Sequence, residues 1–200
     1  MLGFTVMTRA NSPLDLPRAA VLLLLDGYDS DKERLLLTKR ADFLRTHPGE
    51  VSFPGGMIEH GDEGSLERTA LRESEEEVGL QASKAEILSS LPVRQSRHGV
   101  AVKPHVATMK EPHILTASRD ELQCLFWVPT ALFREDKRVK TLLFPRPGGD
   151  YDWAPVYQFD GHTIWGLTAK IIVDFVYWRY RILLPRRHAD APDSIFSGFV

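Results

Sequence analysis

The sequence predicts an α/β domain built on a mixed β-sheet flanked by helices. Three observations predict it. About seven apolar segments of strand length alternate with turns rich in Pro, Gly and Asp. Only two substantial segments carry a helical pattern, residues 65–78 and 163–184. No G-x-G-x-x-G follows a strand and no G-x-x-x-x-G-K occurs, which argues against a doubly wound dinucleotide fold and against a P-loop.

Taken in order, residues 1–16 carry "NSPLDLP" and read as a loose entry arm. A domain over 17–186 and a tail over 187–200 follow. "RAAVLLLLD" is a continuous apolar run, as expected of a strand buried on both faces. The polar turn "DGYDSDKE" leads to "RLLLTKR", so the two strands suit a hairpin. "THPGEVSFPGG" is punctuated by Pro and Gly around a short strand at "EVSF". Ser65 suits an N-cap, and Gly79 suits the left-handed residue that ends a helix. Further strands are expected at "AEILSSLPV", "VAVKPHVATM" and "LQCLFWV", with a short helix at "PTALF". "RVKTLLF" and "PVYQF" suit a late hairpin, and a long helix over 163–184 closes the domain.

The bulk composition sets outer limits. The 200 residues suit one domain with a full-sized core. A net charge of -2 excludes nucleic-acid binding driven by bulk electrostatics. The single cysteine, Cys124, excludes an intramolecular disulfide and points to a reducing, cytoplasmic setting. "MLGFTVMTRANSP" lacks a long apolar stretch after a basic start, so no secretory signal is expected. "AAVLLLL" is too short to span a bilayer, and Asp174, Arg179 and Arg181 interrupt the late apolar segment. The oligomeric state stays open, a homodimer included.

The densest charge lies in "RESEEEVGL", residues 72–80, with four glutamates in five positions. At 100° per residue, Leu66, Ala70, Leu71, Ser74 and Val78 share an apolar arc of about 140°. Glu73 and Glu77 fall at the edge of that arc, Glu76 lies one step further round, and Glu75 points away. Glu73, Glu76 and Glu77 are therefore neighbours at i, i+3 and i+4. Like charges at these spacings repel, and the helix dipole disfavours anions at a C-terminal end. A solvated acidic face is the ordinary explanation of such a run. Two local penalties at a core border favour a functional one. Clustered carboxylate oxygens suit hard cations such as Mg²⁺ or Mn²⁺, and the D-x-D-x-D-G loop of a calcium site is absent.

"GGMIEHGDEGSLERTALRESEEEVGL" resembles the Nudix box, whose second half reads R-E-U-x-E-E-x-G-U with U aliphatic. Arg72, Glu73, Glu76, Glu77, Gly79 and Leu80 match, and Ser74 replaces the aliphatic residue. The first half, Gly56 to Arg72, holds two extra residues, so its acid is either Asp62 or Glu63. "LLTKRADFLRTHPGEVSFPGG" resembles the added signature of the coenzyme A diphosphatase branch. Thr38, Arg40, Gly49, Phe53, Pro54, Gly55 and Gly56 match it, and Arg45 stands one position further from Arg40 than the pattern has it. "SRDELQCLFWVP" and "HTIWGLTAKII" resemble later segments of the same branch.

The resemblance implies the Nudix fold, an α/β/α sandwich with a mixed sheet, and hydrolysis of a substituted diphosphate, a small-molecule substrate. It implies Mg²⁺ or Mn²⁺ held by Glu73, Glu76, Glu77 and the Gly56 carbonyl, with Arg72 orienting Glu76. Either Glu76 or Glu121 is then the base, Glu121 lying on a later loop that often faces the metals in related enzymes. Arg40 and Arg45 are candidates for the phosphates of coenzyme A; a structural ion pair is their equal alternative. The basic loop "RQSRHG" is either a substrate contact or an exposed turn, and His47 reads as a structural loop residue. Phe144, Trp153 and Trp165 offer faces to adenine, although such aromatics usually serve the core. The branch implies cleavage into 3′,5′-ADP and 4′-phosphopantetheine. Another nucleoside diphosphate derivative, such as ADP-ribose or a dinucleotide, is the second reading, and a non-catalytic Nudix-fold module is the third.

Overall fold

The computed structural model describes residues 18–146 and 148–196. The proposed arm, residues 1–16, lies outside the described residues. The first strand, β1 (Arg18–Asp26), is buried on both faces as its continuous apolar run requires. It runs parallel to β7 (Ala101–Met109), from Arg18 opposite Ala101 to Leu25 opposite Thr108. β5 (Ala85–Ser90) pairs antiparallel with the far edge of β7, and the short β6 (Arg94–Gln95) pairs with its start.

On its other edge β1 meets β2 (Arg34–Arg40) only at Leu25–Leu35 and Asp26–Arg34, and then the two strands part. The segment 51–57 fills the fork. Its first half, β3 (Val51–Ser52), pairs with β2; its second half, β4 (Gly55–Met57), pairs with β1. The crossing between them is Phe53-Pro54: Phe53 is buried in the core and the Pro54 carbonyl accepts from Leu22 N at 2.9 Å. Gly55 then passes so close to β1 that a β-carbon there would stand 2.3 Å from the Ala20 carbonyl, at a φ of +155° that side chains rarely adopt. The F-P-G-G run is thus the device that carries the chain across a split sheet. β8 (Leu122–Pro129) pairs with the outer edge of β2.

Helices cover both faces. Leu22, Leu24 and Leu36 pack with Ala70 and Val78 of α1 (Leu66–Val78). Leu23, Leu25, Leu35 and Leu37, on the opposite face, pack with Ile171, Ile172, Phe175 and Val176 of α3 (Gly166–Tyr180). The period of two along each strand sends alternate leucines to alternate layers. The result is an α/β/α sandwich on a mixed sheet, as expected from the sequence. A four-residue helix, α2 (Ala131–Arg134), follows β8.

A second sheet has the order β11–β10–β9–β12, made by β9 (Lys140–Pro145), β10 (Tyr151–Phe159), β11 (His162–Ile164) and β12 (Asp193–Ile195). β9 and β10 are the late hairpin that the sequence predicts. The closing helix is shorter than the expected 163–184. Residues 162–164 join β10 as a strand across the Asp160-Gly161 turn, so the helix starts at Gly166. It ends where Arg181 takes a left-handed conformation, φ 59°. Among the described residues, no helix is long and apolar enough to cross a membrane.

Candidate active site

α1 carries the glutamates, and both its ends are closed in ways the sequence announces. The Ser65 hydroxyl accepts from Arg68 N at 3.3 Å. At the other end Gly79 is left-handed, and Gly79 N and Leu80 N donate to the Glu75 and Ser74 carbonyls. The last carbonyls find partners from outside the helix. Ser118 N donates to Glu77 O at 2.8 Å and Thr116 N to Val78 O at 3.0 Å, while His113 Nε2 lies 3.1 Å from Gly79 O. These bonds dock the loop before β8 onto the end of α1. The same loop turns at Ser118, whose carbonyl accepts from Glu121 N, and the Glu121 carbonyl accepts from Ala41 N. Glu121 is thereby held beside the helix glutamates, near enough for its charge to act on Glu73 and Glu77.

The helix glutamates have different surroundings. Glu73 lies against Gly56: a β-carbon on Gly56 would stand 2.4 Å from its Oε1. Burial pushes the Glu73 carboxyl up, Arg72 opposes the rise, and the charges of Glu76 and Glu121 add to it. Glu77 is only 3% exposed. Its Oε2 lies 3.4 Å from Gly55 N and its Oε1 lies 3.9 Å from Arg40 Nη1. Burial pushes its carboxyl up to about 8, helped by the Glu121 and Glu73 charges and opposed by Arg40 and the Gly55 N–H. Glu76 is half-exposed and accepts from Arg72 Nη1 at 3.0 Å. Glu75 is exposed on the far side, as its helical angle requires.

Arg72 is the hub of this end. It donates from Nε to Asp62 Oδ1 at 3.0 Å and from Nη2 to Asp62 Oδ2 at 3.2 Å. Nη1 lies 3.0 Å from both Glu73 and Glu76, and Nη2 also reaches the Met57 carbonyl. Asp62 is buried at the end of a 3-10 turn, His60–Asp62, and also accepts from Glu59 N and the Thr69 hydroxyl. The Arg72 guanidinium holds the Asp62 carboxyl down to about 2, against the effect of burial. Of the two acids that the sequence leaves open, Asp62 therefore makes the Arg72 pair. Glu63 is exposed and turns to Arg68.

The other candidate residues separate. Arg40 approaches Glu77, at 3.9 Å. Arg45 is exposed and makes no hydrogen bond or ion pair with any described residue. The "RQSRHG" loop comes to lie beside His47, its ring edge-on to His98. Trp153 sits against the Arg138 guanidinium, and Phe144 and Trp165 pack with Phe196. Sequence reasoning missed the 113–118 loop and the Gly55 N–H. Apart from the His113 ring, both act through backbone groups, which leave no residue-type signal.

Among the described residues, no three His, Cys, Asp or Glu side chains already converge as a cation cage. Arg72 draws Glu73 and Glu76 together, while Glu77 turns toward Gly55 and Arg40. The donor set nonetheless suits a hard divalent cation. It places a buried carboxylate and a half-buried one beside an exposed one, with a fourth acid nearby and a glycine that leaves room for Glu73.

Comparison with known proteins identifies the family. The NUDIX domain model matches residues 16–145, and the chain belongs to that family. It is 38% identical over 157 residues to the peroxisomal coenzyme A diphosphatase ndx-8 of Caenorhabditis elegans, covering 78% of this chain and 65% of that one. It is 38% identical over 156 residues to the uncharacterized Nudix hydrolase NudL of Enterobacter, covering 78% and 79%. It is 34% identical to Nudix hydrolase 15, mitochondrial, of Arabidopsis thaliana, covering 78% of this chain and 56% of that one. The chain thus spans less than two thirds of the nematode and plant relatives. A crystal structure of a Nudix hydrolase from M. smegmatis aligns with TM-score 0.48 and 23% identity, over 58% of this chain and 72% of that one. Nudix hydrolases generally use divalent metal ions.

Proposed function

We infer that the chain is a Nudix diphosphatase that hydrolyses the diphosphate bond of coenzyme A, and of its acyl or oxidised forms. The products are 3′,5′-ADP and 4′-phosphopantetheine or its acylated equivalent. The observation that carries the reading is the approach of Arg40 to Glu77, 3.9 Å between Nη1 and Oε1. Arg40 belongs to the signature stretch and Glu77 to the acidic helix, so the two sequence features meet at one place. The likeness to a coenzyme A diphosphatase supports the same substrate.

Glu73, Glu76, Glu77 and the Gly56 carbonyl would hold Mg²⁺ or Mn²⁺. Such an ion supplies neutralisation of the diphosphate charge and acidification of a water. The chain's own groups do the rest. Arg72 is a positioning residue: anchored on Asp62, it sets the rotamers of Glu73 and Glu76. Arg40 offers guanidinium donors to the diphosphate oxygens. Water attacks one phosphorus, the bridging P–O bond breaks, and the proton passes to a carboxylate. We assign that role to Glu121, because Glu76 is engaged by Arg72. We place the chain in a reducing, cytoplasmic compartment on the strength of its single cysteine.

The test is a diphosphate substrate panel with Mg²⁺ or Mn²⁺ and product identification. Release of 3′,5′-ADP from coenzyme A supports the reading. Cleavage of ADP-ribose or a dinucleotide with coenzyme A left intact would replace it. No turnover of any diphosphate would point to a binding module.

A further inference from the structure

Two loops that are distant in sequence touch in space beside Arg40. The first runs over residues 41–50 between β2 and β3, and Arg40 N closes its base on the Glu50 carbonyl at 3.0 Å. The second is the tight turn over 96–100 between β6 and β7. There Ser96 N donates to Val100 O at 2.8 Å, and the Ser96 hydroxyl accepts from His98 N and Val100 N. The His47 and His98 rings meet edge-on with centroids 5.3 Å apart. Arg97 Nε donates to His98 Nε2 at 3.1 Å. Glu50 lies between the loops, Oε2 at 2.8 Å from His47 Nδ1 and Oε1 at 3.9 Å from Arg97 Nη2. Lys39 and Asp42 flank Gly49 at the base of the first loop, and Arg45 stands exposed on it.

The two loops therefore carry two permanent cations (Arg45 and Arg97), two imidazoles (His47 and His98) and two carboxylates (Asp42 and Glu50), with Lys39 at the base of the first. A solvated surface accounts for exposed charge. It does not by itself join two loops, and Glu50, which bonds His47 and stands 3.9 Å from Arg97, meets only part of the basic charge gathered there. Arg97 spends one donor on an imidazole and stands beyond hydrogen-bond reach of Glu50, so most of its planar fork remains for another acceptor. The site lies one residue from the reaction: Arg40 bonds Glu50 with its backbone and faces Glu77 with its guanidinium.

The geometry points to a second anion subsite, formed by Arg45, His47, Arg97 and His98, that takes a phosphate monoester of the substrate apart from the diphosphate being cut. On the coenzyme A reading, on which this inference rests, that group is the ribose 3′-phosphate. Arg97 and His98 are then specificity-determining residues that lie outside the signature stretch. Glu50 bonds His47, draws Arg97 by charge alone at 3.9 Å and repels the incoming phosphate, so it tempers the affinity.

The test compares coenzyme A with 3′-dephospho-coenzyme A. The wild-type protein should favour coenzyme A by about tenfold in kcat/KM, the value of one charge-assisted contact. Arg97→Ala should bring that ratio close to one, acting on KM for coenzyme A, while Arg97→Lys keeps part of it and Glu50→Gln raises it. Arg45→Ala should lower the ratio from the other loop, and melting temperatures near wild type would show that these exposed changes leave the fold intact. A wild-type ratio near one, or an Arg97→Ala loss that is equal on both substrates, would overturn the subsite and leave the diphosphatase reading standing. Calorimetry with 3′,5′-ADP and 5′-AMP separates the converse case. Tighter binding of 3′,5′-ADP that Arg97→Ala removes, in a protein that does not cut coenzyme A, would keep the subsite and overturn the activity. Equal binding of the two nucleotides would overturn the subsite.

Discussion

The Glu73 carboxylate occupies the space where a β-carbon on Gly56 would stand, 2.4 Å from Oε1. Its neighbour Gly55 is crowded by different atoms, the Ala20 carbonyl and Val21 Cα of β1. Two adjacent glycines therefore predict two different failures. Gly56→Ala pushes a side chain that can swing, so the protein should fold and lose about 100-fold in kcat through a displaced carboxylate. Gly55→Ala pushes backbone and carries a strained φ, so it should lose at least about 3 kcal/mol of stability. Thermal melts and rates on the two variants give the comparison; equal melting temperatures would contradict it.

The Asp62–Arg72 pair predicts an acid dependence. Asp62 falls from its ordinary 3.8 to about 2 in the folded chain. Its contribution is complete above 3.8 and is lost as pH falls through about 2, because the unfolded chain takes the proton first. Asp62→Asn should cost about 2 kcal/mol at pH 7, the worth of a hydrogen bond to a charged group. Denaturant unfolding from pH 6 to about 2 should then show a shallower decline for the variant than for the wild type. Parallel curves would assign the acid sensitivity elsewhere.

Arg72 positions carboxylates and is expected to act through kcat. Arg72→Lys keeps the charge and loses the planar fork that spans Asp62, Glu73 and Glu76. A fall in kcat of about 100-fold with KM nearly unchanged is the expected outcome. Glu76→Gln should remove most activity and leave the melting temperature close to wild type, since Glu76 is half-exposed. Near-normal activity in that variant would place the chemistry on other residues.

A fourth prediction concerns the second sheet. The Arg138 side chain is fully buried, gripping Asp136 through Nε and Nη2 and bonding the Thr141 hydroxyl and the Arg186 carbonyl through Nη1. Asp136 also accepts from the Tyr157 hydroxyl, and burial pushes that phenol well above its usual range. Arg138→Ala would strip Asp136 of both guanidinium bonds and leave it the Tyr157 hydroxyl and His188 at 3.9 Å, at a cost of about 3 kcal/mol. Arg138→Ala with wild-type stability would show that the Asp136 charge is met in another way.

Much of this layout was legible in the sequence, for reasons that can be named. α1 shows itself through its apolar arc, Ser65 and Gly79. The glutamates separate from Glu75 by angle alone. The start of α3 was misjudged, although β-branched Thr163 and Ile164 follow an Asp160-Gly161 hairpin turn, and β10 claims them through that turn. Asp62 and Glu63 could not be told apart by type; only the burial of the 3-10 turn decides between them. The approach of Glu121 depends on backbone bonds from Ser118 and Thr116 to the end of α1, and no side-chain pattern records those.

The parallel union of β1 with β7 also sets when the site can exist. Leu22 lies opposite His105, and the forked segment, the acidic helix and both basic loops belong to the chain between them. Closing so long a loop costs entropy before any contact compensates it. During synthesis, β1 must wait for residues beyond 100 to leave the ribosome. Until then β1 is paired only with β2 and β4, so the Gly56 wall beside Glu73 hangs on one edge of an unfinished sheet. Catalytic competence should therefore arise late, in the same step that joins the two central strands.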